Sequence, residues 1–464
     1  MILLVGRVEA GCGIVIKENR RSKGREFCRA LGIIAALLLS FFAWNPAASA
    51  KVYIDIDSPA FQKFPVAVQD FRALGEGEDK EGSAAFFADE LGKLLEMTGF
   101  FRVIPREAFL EDGATAGITA PEIRFGDWLS IGADFLVKGG FEYKDDELVS
   151  EFRLFDVVRG SLITGKRYIG RPDDRKTMVL KFAEEILLAL VGERGVFDTK
   201  IAFVVKKGDN SELYTVSFDG TNMKEITNYE TLTILPRWSP EGERLAFVSY
   251  LRGNPDSYIL HLNSGRREVL TDFPALNIPS SWSPDGKEIL MVLGKDGYND
   301  IYVIEMESKR LRRLTHSPSI DVSPSFSPDG SQIVFVSNRS GNPHLFIMDS
   351  KGRSVRRITF EGTNNTSPRW SPRGNEIVYV GLVEKRFQLF TIDAEGGNNT
   401  QLTYFDGDCF DPSWSPDGRY LVFTLRRAGI EKVCIINSNG VNLRIIEGAD
   451  SAKNPAWSPR LDSY

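Results

Sequence analysis

The sequence predicts an α/β N-terminal domain followed by an all-β six-bladed β-propeller. Three observations carry this. An aromatic-Ser-Pro unit returns at Trp238, Trp282, Phe326, Trp370, Trp414 and Trp457, in four steps of 44 residues and a last one of 43. A period of that length, holding several short strands, is the signature of a propeller blade. The repeat is also out of phase with the chain at both ends. Residues 199–227 offer three strands with no leading strand, and residues 454–458 offer a leading strand with nothing after it. Finally, residues 51–195 lack the period altogether. The expected organisation is a signal peptide at 1–50, the α/β domain at 51–195 and the propeller at 196–464.

In chain order, Lys17, Arg20, Arg21, Lys23, Arg25 and Arg29 form a basic lead to an apolar run at residues 30–44. That run is short for a membrane span, and Ala48-Ser49-Ala50 supplies a small-residue cleavage site. The segment therefore reads as a secretory signal with Lys51 as the first mature residue. A membrane anchor is the alternative, and the small-residue site argues against it. The formal charge of the whole chain is −6, and loss of a basic signal makes the mature chain more acidic still. An acidic exported chain is a poor nucleic-acid binder. Of the cysteines, Cys409 and Cys434 lie beyond the signal. One disulfide is open to them, but two unpaired thiols are expected, with Cys409 in a loop and Cys434 in a strand.

The mature chain starts on Lys51 with an alternating run: Val52, Ile54 and Ile56 on one face, Tyr53, Asp55 and Asp57 on the other. That is a strand pattern. Residues 65–71 read as a second strand. Ser83 is placed to cap a helix with Phe86, Phe87, Leu91, Leu94 and Leu95 as its apolar stripe, closed by Gly99. Residues 101–104 are a strand, 121–131 a short helix, and 135–143, 148–157 and 162–169 a three-stranded meander. Gly139-Gly140 reads as a bulge. Asp173 is placed to cap a helix with Met178, Phe182, Ile186 and Leu190 facing inward, ended by Gly192. The sum is a sheet with helices on one face.

Each later unit opens with a short strand ending in the aromatic, here called a. Ser-Pro-Asp-Gly follows as a turn, because Pro presets φ and Gly accepts positive φ. Strands b and c come next, and a short basic strand d ends in Leu-Thr or Ile-Thr, as at Leu314-Thr315, Ile358-Thr359 and Leu402-Thr403. The aromatic is expected to pack between blades. Three front strands and one rear strand complete the sixth blade, closing the ring without a free edge.

Catalytic constellations are absent from the sequence. His261, His316 and His344 fall in different units, at a strand c, a d–a loop and a b–c loop, so a shared metal or triad is not expected. There is no G-x-S-x-G, H-E-x-x-H or phosphate-cradling loop. The Asp-Gly pairs have hairpin spacing, so no cofactor is expected, with Ca²⁺ in the central channel left open.

The S-P-[DE]-G units resemble the Tol-type propeller repeat, which also occurs in oligopeptidase-like proteins. The junction Gly192-Glu193-Arg194-Gly195-Val196-Phe197-Asp198-Thr199-Lys200-Ile201-Ala202, together with Gly132-Ala133-Asp134 and Pro65-Val66-Ala67-Val68, is similar to the TolB family of the Tol–Pal system. The resemblance implies a monomeric, non-enzymatic periplasmic scaffold that supports outer-membrane integrity and cell division and serves bacteriocin import. It implies two partners, with other outer-membrane proteins as further candidates. TolA would bind the mature N-terminus: Lys51, Val52, Tyr53, Ile54, Asp55, Ile56 and Asp57. The lipoprotein Pal would bind the d–a loops at one mouth of the propeller, where the candidates are Leu276, Asn277, Asp321, Asn364, Asn365, Thr366, Asp411 and Asn454. An enzyme that uses the propeller as a filter, and a sugar- or peptide-binding receptor, are the rival readings.

Overall fold

The structure, a computed structural model, describes residues 62–75, 79, 81–295, 297–449 and 451–461. The expected signal peptide and the alternating strand at 51–57 lie outside the described residues. No helix among the described residues is long and apolar enough to cross a membrane.

The first part is one mixed sheet. β1 (Phe64–Val68) runs parallel to both β3 (Phe101–Val103) and β4 (Phe135–Lys144). β2 (Arg72–Ala73) pairs with the far end of β4. β5 (Glu147–Asp156) and β6 (Ser161–Gly170) extend the sheet antiparallel. Side chains alternate across a sheet, and here both faces are covered. Val66, Val68, Val137, Phe152 and Leu154 pack on α1 (Ser83–Met97), through Phe87, Leu91 and Leu95. Ala67, Leu136 and Phe155, one residue out of step, pack on Trp128 of α2 (Phe125–Ser130). Phe182 and Ile186 of α3 (Arg175–Val191) join the first face. The expected one-sided arrangement is therefore corrected: the two long helices share a face, and the short helix seals the other.

Four local expectations are also corrected. Ser83 is not the cap of α1. Asp79 accepts from the backbone N–H groups of Ser83 and Ala84 at 2.8 and 2.9 Å, and the Ser83 hydroxyl pairs with Tyr143 instead. Asp174, not Asp173, occupies the N-cap of α3. The helix expected at 121–131 splits into a 3-10 turn at Ala120–Glu122 and α2. Gly139 sits in unbroken register with Phe152. A Cβ there would meet the Phe71 ring at 2.1 Å, and one at Gly140 would meet Leu74 at 2.7 Å. Close packing of neighbours, not a bulge, requires these glycines.

The second face also buries an ion pair. Lys138, only 1 % exposed, donates to Glu111 Oε1 at 2.8 Å and to the Gly117 carbonyl at 2.9 Å. Trp128 Nε1 donates to the same Glu111 oxygen at 2.8 Å. Burial pulls the Lys138 ammonium below its usual range, and the hydrogen bond and charge of Glu111 pull it back.

After α3 the chain is pinned. The buried Glu184 carboxylate accepts from Gly195 N at 2.6 Å and Phe197 N at 3.2 Å. Burial pushes its carboxyl above the ordinary value of 4.5, against the pull of the two amides. The folded state thus holds the Glu184 proton more tightly than the unfolded chain does. Its contribution to stability is constant below about pH 4.5, falls as pH rises toward the raised folded value, and levels off above it. Glu184→Gln leaves one amide without an oxygen acceptor, a loss of about 1–3 kcal/mol. The stability difference between wild type and this variant is expected to narrow as pH rises from 4.5. Denaturation at several pH values checks this, and a difference that widens over that range would contradict it.

The propeller comprises six four-stranded antiparallel sheets. The first consists of Thr233–Trp238, Arg244–Ser249, Asp256–His261 and Arg267–Thr271, as strands a to d. In each Ser-Pro-Asp-Gly turn the Gly amide returns to the Ser carbonyl, as from Gly286 to Ser283 at 2.9 Å, and the Gly takes positive φ. Strand d ends in Leu270-Thr271 in the first blade, as expected; in four others the Thr lies just past strand d and its hydroxyl accepts a backbone N–H from strand c: Leu213 to Thr227, Ile301 to Thr315, Leu345 to Thr359 and Leu389 to Thr403, all at 2.8–3.0 Å. The repeated aromatic lies between blades. Trp238, Trp282 and Trp414 donate Nε1–H to the carbonyls of Ala456, Arg237 and Arg369 in the preceding blade.

The last sheet joins the chain ends. Ala452–Trp457 supplies strand a to Lys200–Lys207, Asn210–Ser217 and Lys224–Glu225, with Trp457 opposite Ile201. One apolar core runs from Phe182 and Leu187 of α3 through Phe197 to Phe218, Tyr420 and Trp457 of the closing blades. Cys409 lies in the strand Asp408–Trp414, not in a loop, and His344 begins the strand His344–Asp349. Cys409 and Cys434 are both buried free thiols, each pushed up to about 12 by burial.

Candidate partner-binding site

Strands a and b meet at the Ser-Pro turns, on one face of the ring. The d–a and b–c loops share the other face. The d–a candidates divide sharply there. Leu276 and Asn364 stand just before a strand a, while Asn277, Asp321 and Asn365 are first residues of such strands, and Thr366, Asp411 and Asn454 lie inside them. The expectation that all eight sit in loops is corrected accordingly.

Three of these side chains are turned inward. Asn277 is fully buried, accepts from Phe273 N at 3.0 Å and donates to the Phe273 and Ala275 carbonyls at 2.8 Å. Asp321 is fully buried and takes both its bonds from Arg339, at 2.9 and 3.1 Å. Asn365 donates to the Glu361 carbonyl at 2.8 Å. Each fixes the shape of its loop. Asp411 and Asn454 bond to each other at 2.8 Å, and both have left-handed φ, at 51° and 50°. Leu235, Ser323 and Ser367 share that conformation at equivalent positions, where strand a slips register against strand b.

What the loops display outward is apolar, and sequence reasoning passed over most of it. Phe360 is 72 % and Tyr404 77 % exposed, 44 residues apart and each directly after the Thr that follows strand d. Leu232 and Ile320 are exposed on other loops of the same face. Their signal was available: large side chains at matching repeat positions in loops that are otherwise polar. Around them lie exposed ion pairs, Arg252–Asp272 at 3.1 Å and Arg386–Asp406. Such pairs contribute little to stability, but exposed aromatics with a polar rim are the makings of a protein interface.

His344 is buried against Thr359 and Asn365, and burial pulls its imidazole below the usual value. Among the described residues no group of three or more His, Cys, Asp or Glu is placed to hold a metal.

Comparison with known proteins agrees with this architecture. A family model described as the TolB beta propeller domain matches residues 188–461, and one described as the TolB amino-terminal domain matches residues 52–163. The chain is 45% identical over 200 residues to the Tol-Pal system protein TolB of Syntrophus aciditrophicus, covering 42% of this chain and 44% of that protein. It is 38% identical over 194 residues to the Tol-Pal system protein TolB of Desulfosudis oleivorans, again over 42% and 44%. The matched stretch thus spans less than half the length of these relatives. A solved structure of TolB from Acinetobacter baumannii shares the fold, with a TM-score of 0.75 at 24% identity over 86% of this chain and 97% of that one.

Proposed function

The chain belongs to the TolB family, and from that premise we propose that it is a non-enzymatic periplasmic scaffold of the Tol–Pal system. In this reading it supports outer-membrane integrity and envelope constriction during division, and serves protein import such as that of bacteriocins. Pal binds the d–a face, and TolA binds the segment that starts at Lys51. The observation that carries the reading is the set of exposed apolar side chains on that face, Ile320, Phe360 and Tyr404. Aromatic anchors of this kind concentrate binding energy. Asn277, Asp321 and Asn365 then hold the loops in shape, and Leu276, Asn364 and Thr366 stand beside the contact. The N-terminal segment suits addition to a partner's sheet edge, because an alternating strand brings its own backbone donors and acceptors.

Capture from envelope extract by the tagged mature chain tests both halves. Substituting Ile320, Phe360 and Tyr404 together by Ser is expected to weaken Pal capture about tenfold or more and to leave TolA capture intact. Deleting residues 51–57 is expected to do the reverse. Wild-type capture of both partners by both variants would contradict the reading.

A further inference from the structure

At the Ser-Pro end of the ring lies a cavity of about 380 Å³, walled by the repeat prolines and by Arg237 and Arg369. Both arginines stand directly before a repeated aromatic, three repeats apart. In a six-membered ring that puts them on opposite walls. The equivalent positions in the other blades are Ser281, Ser325, Ser413 and Ala456, all small. The ring therefore carries two long cations across a space that its other four blades leave open.

These cations are under-partnered. A guanidinium offers five N–H donors. Arg237 donates Nε–H to the Ser280 carbonyl at 3.0 Å and Nη1 to the Pro236 carbonyl at 2.8 Å. Among the described residues Arg369 makes a single bond, from Nη1 to the Pro368 carbonyl at 2.8 Å. Asp411 is the one carboxylate whose charge reaches both, and it is bonded to Asn454. Burial pulls both guanidiniums down, Arg369 to about 9, with the charge of Arg237 adding to the effect. Among the described residues two cations and no carboxylate line the cavity, and paired guanidiniums match the two oxygens of a carboxylate.

We propose that this cavity is an anion site in which Arg237 and Arg369 together take one carboxylate. The carboxylate belongs either to an acidic side chain of an inserted protein segment or to a free small molecule. A purely architectural role accounts for Arg237, which ties strand a of its blade to Ser280 of the next. It does not account for Arg369, whose one bond among the described residues is to its own neighbour. The site is at the opposite mouth from the d–a loops and does not depend on what those loops bind.

Calorimetric titration of the mature chain with citrate and with a hexaglutamate peptide, at ionic strength fixed with sodium chloride, tests this. Saturable binding is expected, weakened at least tenfold by Arg369→Met and less by Arg369→Lys. Peptide binding at least as tight as citrate assigns a protein segment as the source, and citrate binding alone assigns a free carboxylate. No saturable binding of either probe, or an Arg369→Met variant within twofold of wild type, overturns the proposal. A bromide soak of wild-type crystals gives a reading that needs no variant: an anomalous peak between the two guanidiniums is expected, and its absence would count against the site.

Discussion

Replacing Trp457 by Ala is expected to lower the unfolding free energy by about 3–5 kcal/mol, the range for deleting a buried aromatic from a packed core. Trp457 is 6 % exposed, donates Nε1–H to Thr199 Oγ1 at 2.9 Å, and stacks beside Tyr420 and Phe218. It also belongs to the strand Ala452–Trp457, which pairs with Lys200–Lys207, where Ser458 N reaches the Lys200 carbonyl at 2.8 Å. The loss therefore falls on ring closure as well as on volume. Because the core around Trp457 continues into Phe182 and Leu187 of α3, the α/β part is expected to unfold earlier too. Urea denaturation followed by circular dichroism measures the effect. A loss under about 1 kcal/mol, the size of a surface substitution, would mean the closing strand is not holding the ring.

Glu111→Ala is expected to destabilise by a similar amount, about 3–5 kcal/mol, through a different cause. It leaves the Lys138 ammonium buried without its counter-ion and the Trp128 Nε1–H without its acceptor. Lys138→Met combined with Glu111→Gln should be far milder, since no charge is then left buried and the Gln oxygen can still accept from Trp128. Thermal unfolding of the two variants side by side distinguishes the cases. Equal losses would show that lost packing, not the stranded charge, is what matters at this site.

Most of the ring was legible from the repeat alone. The spacing of Trp238, Trp282, Phe326, Trp370, Trp414 and Trp457 fixes the blade length, and the out-of-phase ends fix which strand closes it. Closure is a matter of counting strands, which a sequence allows. The first part was harder because its caps depend on distant partners. Asp79 serves α1 from four residues before Ser83, while the Ser83 hydroxyl is drawn away by Tyr143 from β4. Gly139 is required by a Phe71 ring that approaches from elsewhere in the sheet. The second covered face was hidden for a related reason: Trp128 sits on a helix of six residues, too short to show a periodic stripe.

The candidate site was legible in place but not in character. Polar residues in the d–a region drew attention, yet Asn277 points inward to satisfy the backbone of its own tight loop, and Asp321 points inward to pair with Arg339. The outward surface belongs to Phe360 and Tyr404, which single-residue reasoning takes for ordinary hydrophobic positions. Burial, which decides between those roles, is a property of the closed ring.

In the function proposed above, the closed ring offers its d–a face to a protein partner while its Ser-Pro face lies away from it. Hydrogen–deuterium exchange of the mature chain, with and without the soluble domain of Pal, tests this most directly. Slowed exchange is expected in the d–a loops around Ile320, Phe360 and Tyr404, with unchanged exchange at the turns that follow Trp238, Trp282 and Trp414. Protection confined to those turns or to residues 62–191, with the d–a loops unaffected, would contradict it.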